Sequence, residues 1–532
     1  SDQATFTGID DGQREKTINL KLKEDRKKGY FGKIDLAGGL HDRWSNSLML
    51  NAFKGKRKLS VYGIMSSTGK TGLDWDERNK FGSTDNNFDY DEDNGFFFSF
   101  WNNDEFENSS YYGEGLPKSW STGLNYSNKF NDDKQSLNGS YRFTKINTEG
   151  AGSNLMQLIT GNNIFTTRDS GNSFSSRQRQ SANGTFEWNF DSSSSLKIKA
   201  SGYLGKTNSL SINNSSALNE MNVLTNSSFR KTTAEGDNAN ITASILFRKK
   251  FKKVGRSFSW NTEQRFDEIN TTGYLFALID TLTASGNLNS TITDQQKQNN
   301  SRTNSINSKI SYTEPLAKKL FLEFNYGIRN TANISERLTY NKDLDGKYEF
   351  LNDTFSNHYR FNVFTNTAGL SLKYNGKKLT VGGGSNIAFT NFKQTDLFTN
   401  IVDKRDFINF FPKANISYKI GQGTRFGINY NGSTQQPTIS QIQPVQDNSN
   451  PLVILIGNPT LKQQFNHSIN MNFNSFQMLS QRNFYMWGNA TLQHNAIVTR
   501  SFISDTSGKT TMQYINANGN YNYYMGGGYF MK

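Results

Sequence analysis

The chain has 532 residues, of which 34 % are hydrophobic and 13 % aromatic, and its formal net charge is +14. It contains 41 Phe and 23 Tyr but only 7 Pro, whereas disordered chains are usually poor in aromatic residues and rich in proline, so the composition argues against disorder. The absence of cysteine excludes disulfides, thiolate metal sites and cysteine nucleophiles.

The first segment, residues 1–29, precedes the regular pattern of the rest of the chain. It opens SDQATFTGIDDG, which has none of the features of a signal peptide. No stretch of the sequence approaches the roughly 18 consecutive apolar residues that a transmembrane helix needs. A mature or truncated chain would begin in this way.

From residue 30 onward apolar and polar residues alternate with a period of two, which indicates β-strands with one apolar and one polar face. In SANGTFEWNFD, Phe186, Trp188 and Phe190 oppose Thr185, Glu187 and Asn189. The same pattern recurs in SLKIKASGYLG (195–205), in KLFLEFNYGI (319–328) and near residues 30–40, 44–53, 57–66, 363–374, 379–390 and 484–492. No long segment shows helical periodicity.

The connections between these strands fall into two classes. The tight connections lie at 53–58, 131–134, 191–195, 252–257, 375–378 and 420–424. The long polar connections lie roughly at 68–117, 148–178, 208–236, 269–302, 331–360 and 434–464. Short turns at one end and long loops at the other are typical of an outer-membrane β-barrel, because the periplasmic turns are short and the extracellular loops are long. A soluble sandwich or propeller is the alternative. The count is about 18 strands.

Near the end of the chain, GNPTLKQQFNHSINMNFNSF (457–476) shows the alternation most clearly. We expect one face of this strand to contact lipid and the other to line a wet lumen. The first set is Phe465, His467, Ile469, Met471 and Phe473, and the second is Asn466, Ser468, Asn470, Asn472 and Asn474. His467 is the one polar member of the first set, and we place it near the outer headgroups.

Four segments resemble the TonB-dependent receptor-like outer-membrane β-barrel family. They are KTINLKLKEDRKKGYFGKI (16–34), GLPKSWSTGLNYSNKF (115–130), LFRKKFKKVGRSFSWN (246–261) and GNPTLKQQFNHSINMNF (457–473). The resemblance covers almost the whole chain in order. It implies an antiparallel 22-stranded transmembrane barrel, an N-terminal plug folded inside it, and energised import of a bulky solute.

Three features depart from the family pattern. About 15 residues precede the TINLKLKED strand where the family has a whole plug, no TonB-contacting segment is visible, and the family's LKPE is LKQQ at 461–464. We therefore expect residues 1–29 to be the end of a plug and residues 30–532 to be the barrel, with about 18 of 22 strands present. A natural plugless channel is the alternative.

The long early loop holds DYDEDNG (89–95) and FFFSFW (96–101). Asp89, Asp91 and Asp93 have the spacing of a calcium loop, but Asn94 and Phe100 stand where an EF-hand needs Gly and Glu. A looser calcium site and a solvated acidic loop both stay open. For the aromatic residues we favour packing or an interfacial belt over ligand contact. The candidate contacts to a ligand or partner are Trp75, Phe98, Trp101, Leu452 and Ile454.

We predict no catalytic site, resident metal or cofactor, because no GxSxG motif, histidine pair or carboxylate pair in a pocket is visible. The basic residues cluster in the tight turns, where they can meet anionic headgroups, and form no nucleic-acid-binding module. The expected partners are outer-membrane lipid and lipopolysaccharide, TonB through a plug, and possible surface lipoproteins. The leading hypothesis is a transporter barrel, and the alternative is a scaffold in a secretion or assembly complex.

Overall fold

The computed structural model describes residues 28–74, 76–77, 106, 109–160, 163–283, 287–421, 423–442, 446–450, 453–477, 482–503 and 510–531. The segments KTINLKLKED and DYDEDNGFFFSFW, on which several predictions rest, lie outside these residues.

The described chain is almost entirely β-strand, as the period-two pattern predicts. Its helical elements are one turn each, α1 (Ile439–Ile442) and a 3-10 turn (Asp353–Phe355). The strands are β1 (Lys28–Gly39), β2 (Arg43–Lys54), β3 (Arg57–Ser66), β4 (Leu116–Phe130), β5 (Gln135–Thr160), β6 (Asn163–Asn189), β7 (Ser194–Leu218), β8 (Leu224–Lys250), β9 (Ser257–Leu282), β10 (Leu288–Ala317), β11 (Leu320–Lys342), β12 (Tyr348–Leu351), β13 (Asn357–Asn375), β14 (Leu379–Asp396), β15 (Val402–Gly421), β16 (Thr424–Gln435), β17 (Gln446–Asn450), β18 (Val453–Ile456), β19 (Gln464–Gln477), β20 (Arg482–His494), β21 (Ala496–Ile503), β22 (Thr510–Ala517) and β23 (Asn520–Phe530).

The strands form one antiparallel sheet of 19 members in which each strand pairs with its neighbours along the chain. One member, β12, is a short strand in a loop, so the other strands confirm the predicted number of about 18. At the two ends, β1 pairs with β2 and β23 pairs with β20. Closure as a 22-stranded barrel stays a prediction.

The pairing registers place the apolar residues of successive strands on one face, which we call the outer face. Ile469, for example, lies opposite Tyr430 of β16 and Ala490 of β20. The other face, which we call the inner face, is mainly Ser, Thr, Asn and charged residues. Two loop segments pack against the inner face: Leu73 joins a cluster with Met49, Tyr62 and Ile64, and Ile442 and Leu461 join one with Tyr359 and Phe361.

The tight connections lie where the sequence predicts them. The β2–β3 turn contains Gly55 at a φ of 62°, and the β15–β16 turn contains Gly423 at a φ of 84°. Asn131, Asp132 and Asp133 also have positive φ in the β4–β5 turn, a conformation in which Asn and Asp are favoured among side-chain-bearing residues. All these turns lie at the same end of the sheet, because the strands alternate in direction.

Three of the predicted long loops are wrong. The segments 148–178, 208–236 and 269–302 form continuations of β5 to β10, and the connections shrink to residues 161–162, 219–223 and 283–287. The β5–β6 ladder, for instance, runs without a break from Gln135↔Trp188 to Thr160↔Asn163. These stretches are rich in Ser, Thr, Asn and charged residues, so their composition suggests a loop, but neighbouring strands supply the backbone hydrogen bonds that make them a sheet.

Two genuine loops combine into a second sheet of four strands. The connection between β16 and β19 contains β17 and β18, and the connection between β20 and β23 contains β21 and β22. The parallel pair β18–β22, in which Ile454 lies opposite Thr511, joins the two loops. This loop sheet lies at the same end as the inner-face cluster of Tyr359 and Phe361.

Candidate functional site

The inner face is the candidate functional surface because it combines a basic lining with loops that fold onto it. Along β6 to β9, its basic residues are Arg177, Arg179, Lys197, Lys199, Arg230, Arg248, Lys250 and Arg265, and its acidic residues are Asp169, Glu187, Glu263 and Asp267. Along β10 to β16, its basic residues are Lys297, Lys309, Arg329, Arg337, Lys373, Arg405, Lys413, Lys419 and Arg425, and its acidic residues are Glu323, Asp396 and Asp403. The inner face is therefore positively charged along most of the sheet.

Arg179 belongs to this lining and contacts two aromatic rings. Its guanidinium carbon lies 3.5 Å from the ring centroid of Tyr203 on the adjacent strand and 5.4 Å from the ring of Phe106. Both contacts have cation–π geometry, which stabilises the charged guanidinium. Phe106 belongs to the long connection between β3 and β4, so this loop reaches the inner face at Arg179.

The acidic residues of the inner face are held by neighbouring cations. Glu187 accepts from Lys197 at 3.1 Å, and Asp267 accepts from Arg265 at 2.6 Å and from Asn240. These pairs consume some of the positive charge locally. Across the inner face of β6 to β16, Arg and Lys still outnumber Asp and Glu, so an approaching anion would meet a net positive charge.

The start of the β3–β4 connection is fixed to the inner face by a buried carboxylate. The Glu77 side chain is 6 % exposed and lies 2.8 Å from Lys70 Nζ and 3.3 Å from Lys33 Nζ of β1. It also accepts from the Asp74 backbone N–H, while Asp74 Oδ1 accepts from the Glu77 N–H. Arg142 on β5 donates to the Thr71 carbonyl at 3.2 Å, which ties the same loop to a second strand.

Amide side chains tie the GNPTLKQQ segment to the loop sheet, and one of them, Gln464, belongs to β19 of the main sheet. Asn458 donates to the Tyr514 carbonyl at 2.9 Å, and Asn516 both accepts from the Lys462 N–H and donates to the Lys462 carbonyl. Gln464 is 5 % exposed and accepts from the Ile497 N–H at 2.9 Å. The position that is acidic in the resembled family is thus a neutral amide that joins β19 of the main sheet to β21 of the loop sheet.

The predicted site residues are only partly placed. Ile454 lies half-buried in β18 of the loop sheet, whereas Trp75, Phe98, Trp101 and Leu452 lie outside the described residues. The sequence did not indicate Arg179 or Tyr203 as site residues, and it marked Gln464 only as a departure from the resembled family. The signal for the first two was present, because both occupy the polar side of alternating strands, but a single strand does not reveal which rings its neighbour presents.

The predicted faces of the GNPTLKQQFNHSINMNF strand agree with the register of β19. Ile469, Met471 and Phe473 lie on the outer face, and Asn470 accepts from Asn489 across the inner face at 2.7 Å. His467 lies on the outer face, where its Nδ1 is 2.9 Å from the Tyr430 hydroxyl and its ring packs edge-on against Phe465. The hydroxyl partner explains how a histidine is tolerated among apolar residues.

The described residues include neither a metal-ion cluster nor a helix that could span a membrane. No group of three or more His, Asp or Glu in this part of the chain is arranged to hold a metal ion. No helix among these residues is long and apolar enough to span a membrane.

Comparison with known proteins identifies the family. The sequence model of the outer membrane protein beta-barrel family matches residues 249–529. The chain is also similar to the solved structure of the FrpB iron transporter from Neisseria meningitidis (F3-3 variant), at 8 % identity and a TM-score of 0.25, over 94 % of this chain and 80 % of that chain. A second similar structure is the ferric citrate transporter FecA in the unliganded form, at 9 % identity and a TM-score of 0.25, over 94 % of this chain and 78 % of that chain. No curated protein matches the chain.

The family match spans more than half of the chain and covers β9 to β22 entirely. It agrees with the antiparallel order of the strands, the alternation of apolar and polar faces and the tight turns at one end. The apolar outer face is accordingly the face in contact with lipid, and the basic inner face is the lumenal side. The chain belongs to the outer membrane protein β-barrel family, and it crosses the outer membrane of a Gram-negative bacterium several times.

Proposed function

We propose that this chain is the barrel of a TonB-dependent transporter-like protein that imports a bulky solute, and that the solute is anionic. The observation that carries the proposal is the excess of Arg and Lys on the inner face. Fixed positive charge along a pathway raises the local concentration of anions and speeds their association. Rings of Arg and Lys are the usual lining of pores that pass anions.

The loops support a transporter more than an open channel. The segment at Glu77 and the loop sheet both pack against the inner face, where they narrow the path of a solute. Large barrels are wide enough to leak small solutes unless something fills them. The proposal therefore includes a plug and contact with TonB, through which energy for import would be supplied. No chemistry on the solute is part of it.

The experiment measures uptake into proteoliposomes of two oligosaccharides of equal size, one anionic and one neutral. We expect faster flux of the anionic sugar at low salt, a difference that shrinks as salt screens the lining. Arg179→Glu should reduce this preference. The control Lys231→Glu makes the same charge change on the exposed outer face of β8 and should leave the preference intact.

Equal flux of both sugars in the native protein would rule out an anion-selective pathway. A high leak of both sugars that is unchanged by the native N-terminal region would rule out a gated transporter altogether.

A scaffold role is the second candidate, and the length of β5 to β10 favours it. These strands have 25 to 30 residues, whereas about 9–11 suffice to cross a membrane. The extra length places a sheet outside the cell that surface lipoproteins could contact. The scaffold role predicts that a lipoprotein co-purifies with the chain from native membranes. This co-purification should be lost when the parts of β5 to β10 farthest from the tight turns are removed.

A further inference from the structure

The outer face of β5 to β10 changes character partway along each strand. On β9 the first run of apolar outer-face residues ends at Phe266, a polar stretch of Glu268, Asn270 and Thr272 follows, and Tyr274, Phe276 and Leu278 lie beyond that stretch. Neighbouring strands change at about the same place, since Lys206 lies 3.6 Å from Asp237 and Arg302 lies 2.6 Å from Glu268. Charged pairs are stable at a membrane surface and costly in its core. The strands beyond this border therefore stand outside the bilayer.

We call this part the raised wall, and it comprises residues 145–160, 163–180, 206–218, 224–237, 268–282 and 288–304. Two adjoining clefts of about 680 Å³ and about 390 Å³ lie near its top. They share Ser153, Ser170 and Asn214, and all three side chains belong to the outer face. The clefts thus form one groove across β5 to β9, which we call the wall groove.

The lining of the wall groove combines hydrogen-bonding groups, most of them uncharged, with apolar patches, and its charged outer-face side chains are Arg168 and Asp280. Ser153, Ser170 and Asn214 are exposed and offer hydroxyl and amide groups. Phe229 lies beside them and makes an edge contact with Phe276 at 6.2 Å. Asp280 lies at the far end, where it accepts from the hydroxyls of Ser227 and Ser290 at 3.0 and 2.6 Å. Hydroxyl and amide groups match the hydroxyls of a sugar, and the apolar patches match its C–H faces.

The position of the wall groove selects the source of the sugar. It lies on the face that continues directly into the lipid-contacting band. It therefore points away from the lumen and opens above the surrounding membrane. From Phe266 to Leu278 the strand advances by roughly 40 Å, which at a tilt of about 45° is on the order of 28 Å above the bilayer core. Acyl chains and headgroups do not reach that height, whereas the saccharide of a lipopolysaccharide in the outer leaflet does.

We propose that the wall groove binds the saccharide chain of neighbouring lipopolysaccharide molecules. The raised wall then holds a layer of membrane-anchored sugar against its outer face. This inference rests on the outer-membrane location of the chain and is independent of whether the barrel transports a solute.

The experiment compares three probes on the purified full chain in detergent: intact lipopolysaccharide, its lipid A part without sugar, and the sugar chain released by mild acid. Binding is measured by surface plasmon resonance. We expect intact lipopolysaccharide to bind about 30-fold tighter than lipid A, as two hydrogen bonds of ordinary strength would give. The released sugar should bind more weakly than the intact molecule, because it lacks the contribution of the lipid.

The double substitution Ser170→Ala/Asn214→Ala should abolish the advantage of intact lipopolysaccharide over lipid A. The control Ser173→Ala/Asn213→Ala changes the same residue types on the same strands but on the inner face, and it should keep the advantage. Retention of the folded band in unheated SDS gels checks both proteins. Equal binding of lipid A and intact lipopolysaccharide, or an unchanged advantage in Ser170→Ala/Asn214→Ala, would overturn the proposal. Equal affinity for the released sugar would replace the membrane source with a soluble glycan.

Discussion

Tyr348 illustrates how single side chains order the loops outside the membrane. Its hydroxyl donates to Asp294 Oδ1 at 2.7 Å, its ring lies 5.4 Å from that of Tyr274, and Lys342 Nζ lies 3.1 Å from the same carboxylate. Burial of the ring is the largest cause, and the hydrogen bond to Asp294 the second, that raise the pKa of Tyr348 to about 12. The β10 strand, the β11 strand and the short β12 strand are thereby joined at one carboxylate.

The first prediction concerns the titration of this tyrosine. The tyrosinate absorbance that is lost in Tyr348→Phe should develop near pH 12 in the native protein, whereas an unperturbed tyrosine titrates at about 10. Because the folded pKa lies above the unfolded value, the stabilisation from this contact is complete below about pH 10 and disappears as the pH rises through about 12. In Asp294→Asn the titration should move toward 10. A difference signal already complete at pH 10 would contradict the contact.

The second prediction concerns Gly423 in the β15–β16 turn. This residue has a φ of 84°, and a Cβ there would lie 2.3 Å from the Phe476 carbonyl oxygen. We expect Gly423→Ala to destabilise the folded barrel by about 1–3 kcal/mol, because both the backbone conformation and the space exclude a side chain. The measurement is the temperature at which the folded band disappears in SDS gels.

The matched control for Gly423 is Gly421, two residues earlier. A Cβ on Gly421 would meet no atom within 4 Å, and its φ is not positive. Gly421→Ala should therefore leave the stability unchanged or raise it slightly. Equal stability of the two variants would show that the turn does not need glycine at Gly423.

At the scale of the single strand, β19 gives the sharpest test of the register. A slip of one residue would exchange every side chain between lipid and lumen. The native chain contains no cysteine, so each introduced cysteine is the only thiol. We expect Asn470→Cys and Asn472→Cys to react with a membrane-impermeant maleimide, and Ile469→Cys and Met471→Cys to stay protected by lipid. The reverse pattern would place the outer face of β19 in the lumen.

The same strand shows what can be predicted from sequence. The faces of β19 follow from alternation alone, because a period of two is a property of each strand by itself. The tight turns also follow, since Gly and Asn supply the positive φ that they need. The raised wall does not follow. Most of its residues are polar, and only the pairing between adjacent strands distinguishes such strands from polar loops.

At the scale of the whole molecule, the contacts that shape the lumen join segments far apart in the sequence. Arg179 meets Tyr203 across one strand pair and Phe106 across a long connection, and Glu77 reaches Lys33 on β1. The candidate residue Ile454 acquires its partner, Thr511, through a parallel pairing of two loops. Sequence patterns report local periodicity, so they indicate that the inner face is polar but not which side chains converge there.

The last prediction tests whether the two outer loops form a single unit in the intact protein. In the parallel pair β18–β22, Ile454 lies directly opposite Thr511, and partners at a strand spacing of about 4.8 Å are within the range of a disulfide. Ile454→Cys/Thr511→Cys should form a disulfide on oxidation, detected as a mobility shift in non-reducing gels. The control Ile454→Cys/Phe502→Cys uses the next strand, whose Phe502 lies opposite Thr511. At roughly 10 Å from Ile454 it should stay reduced. Because the bridge joins the loops that pack against Tyr359 and Phe361 on the lumenal side, it should also slow the entry of large solutes without unfolding the barrel. Efficient bridging of the control pair, or none in the first, would show that the loops move independently over the lumen.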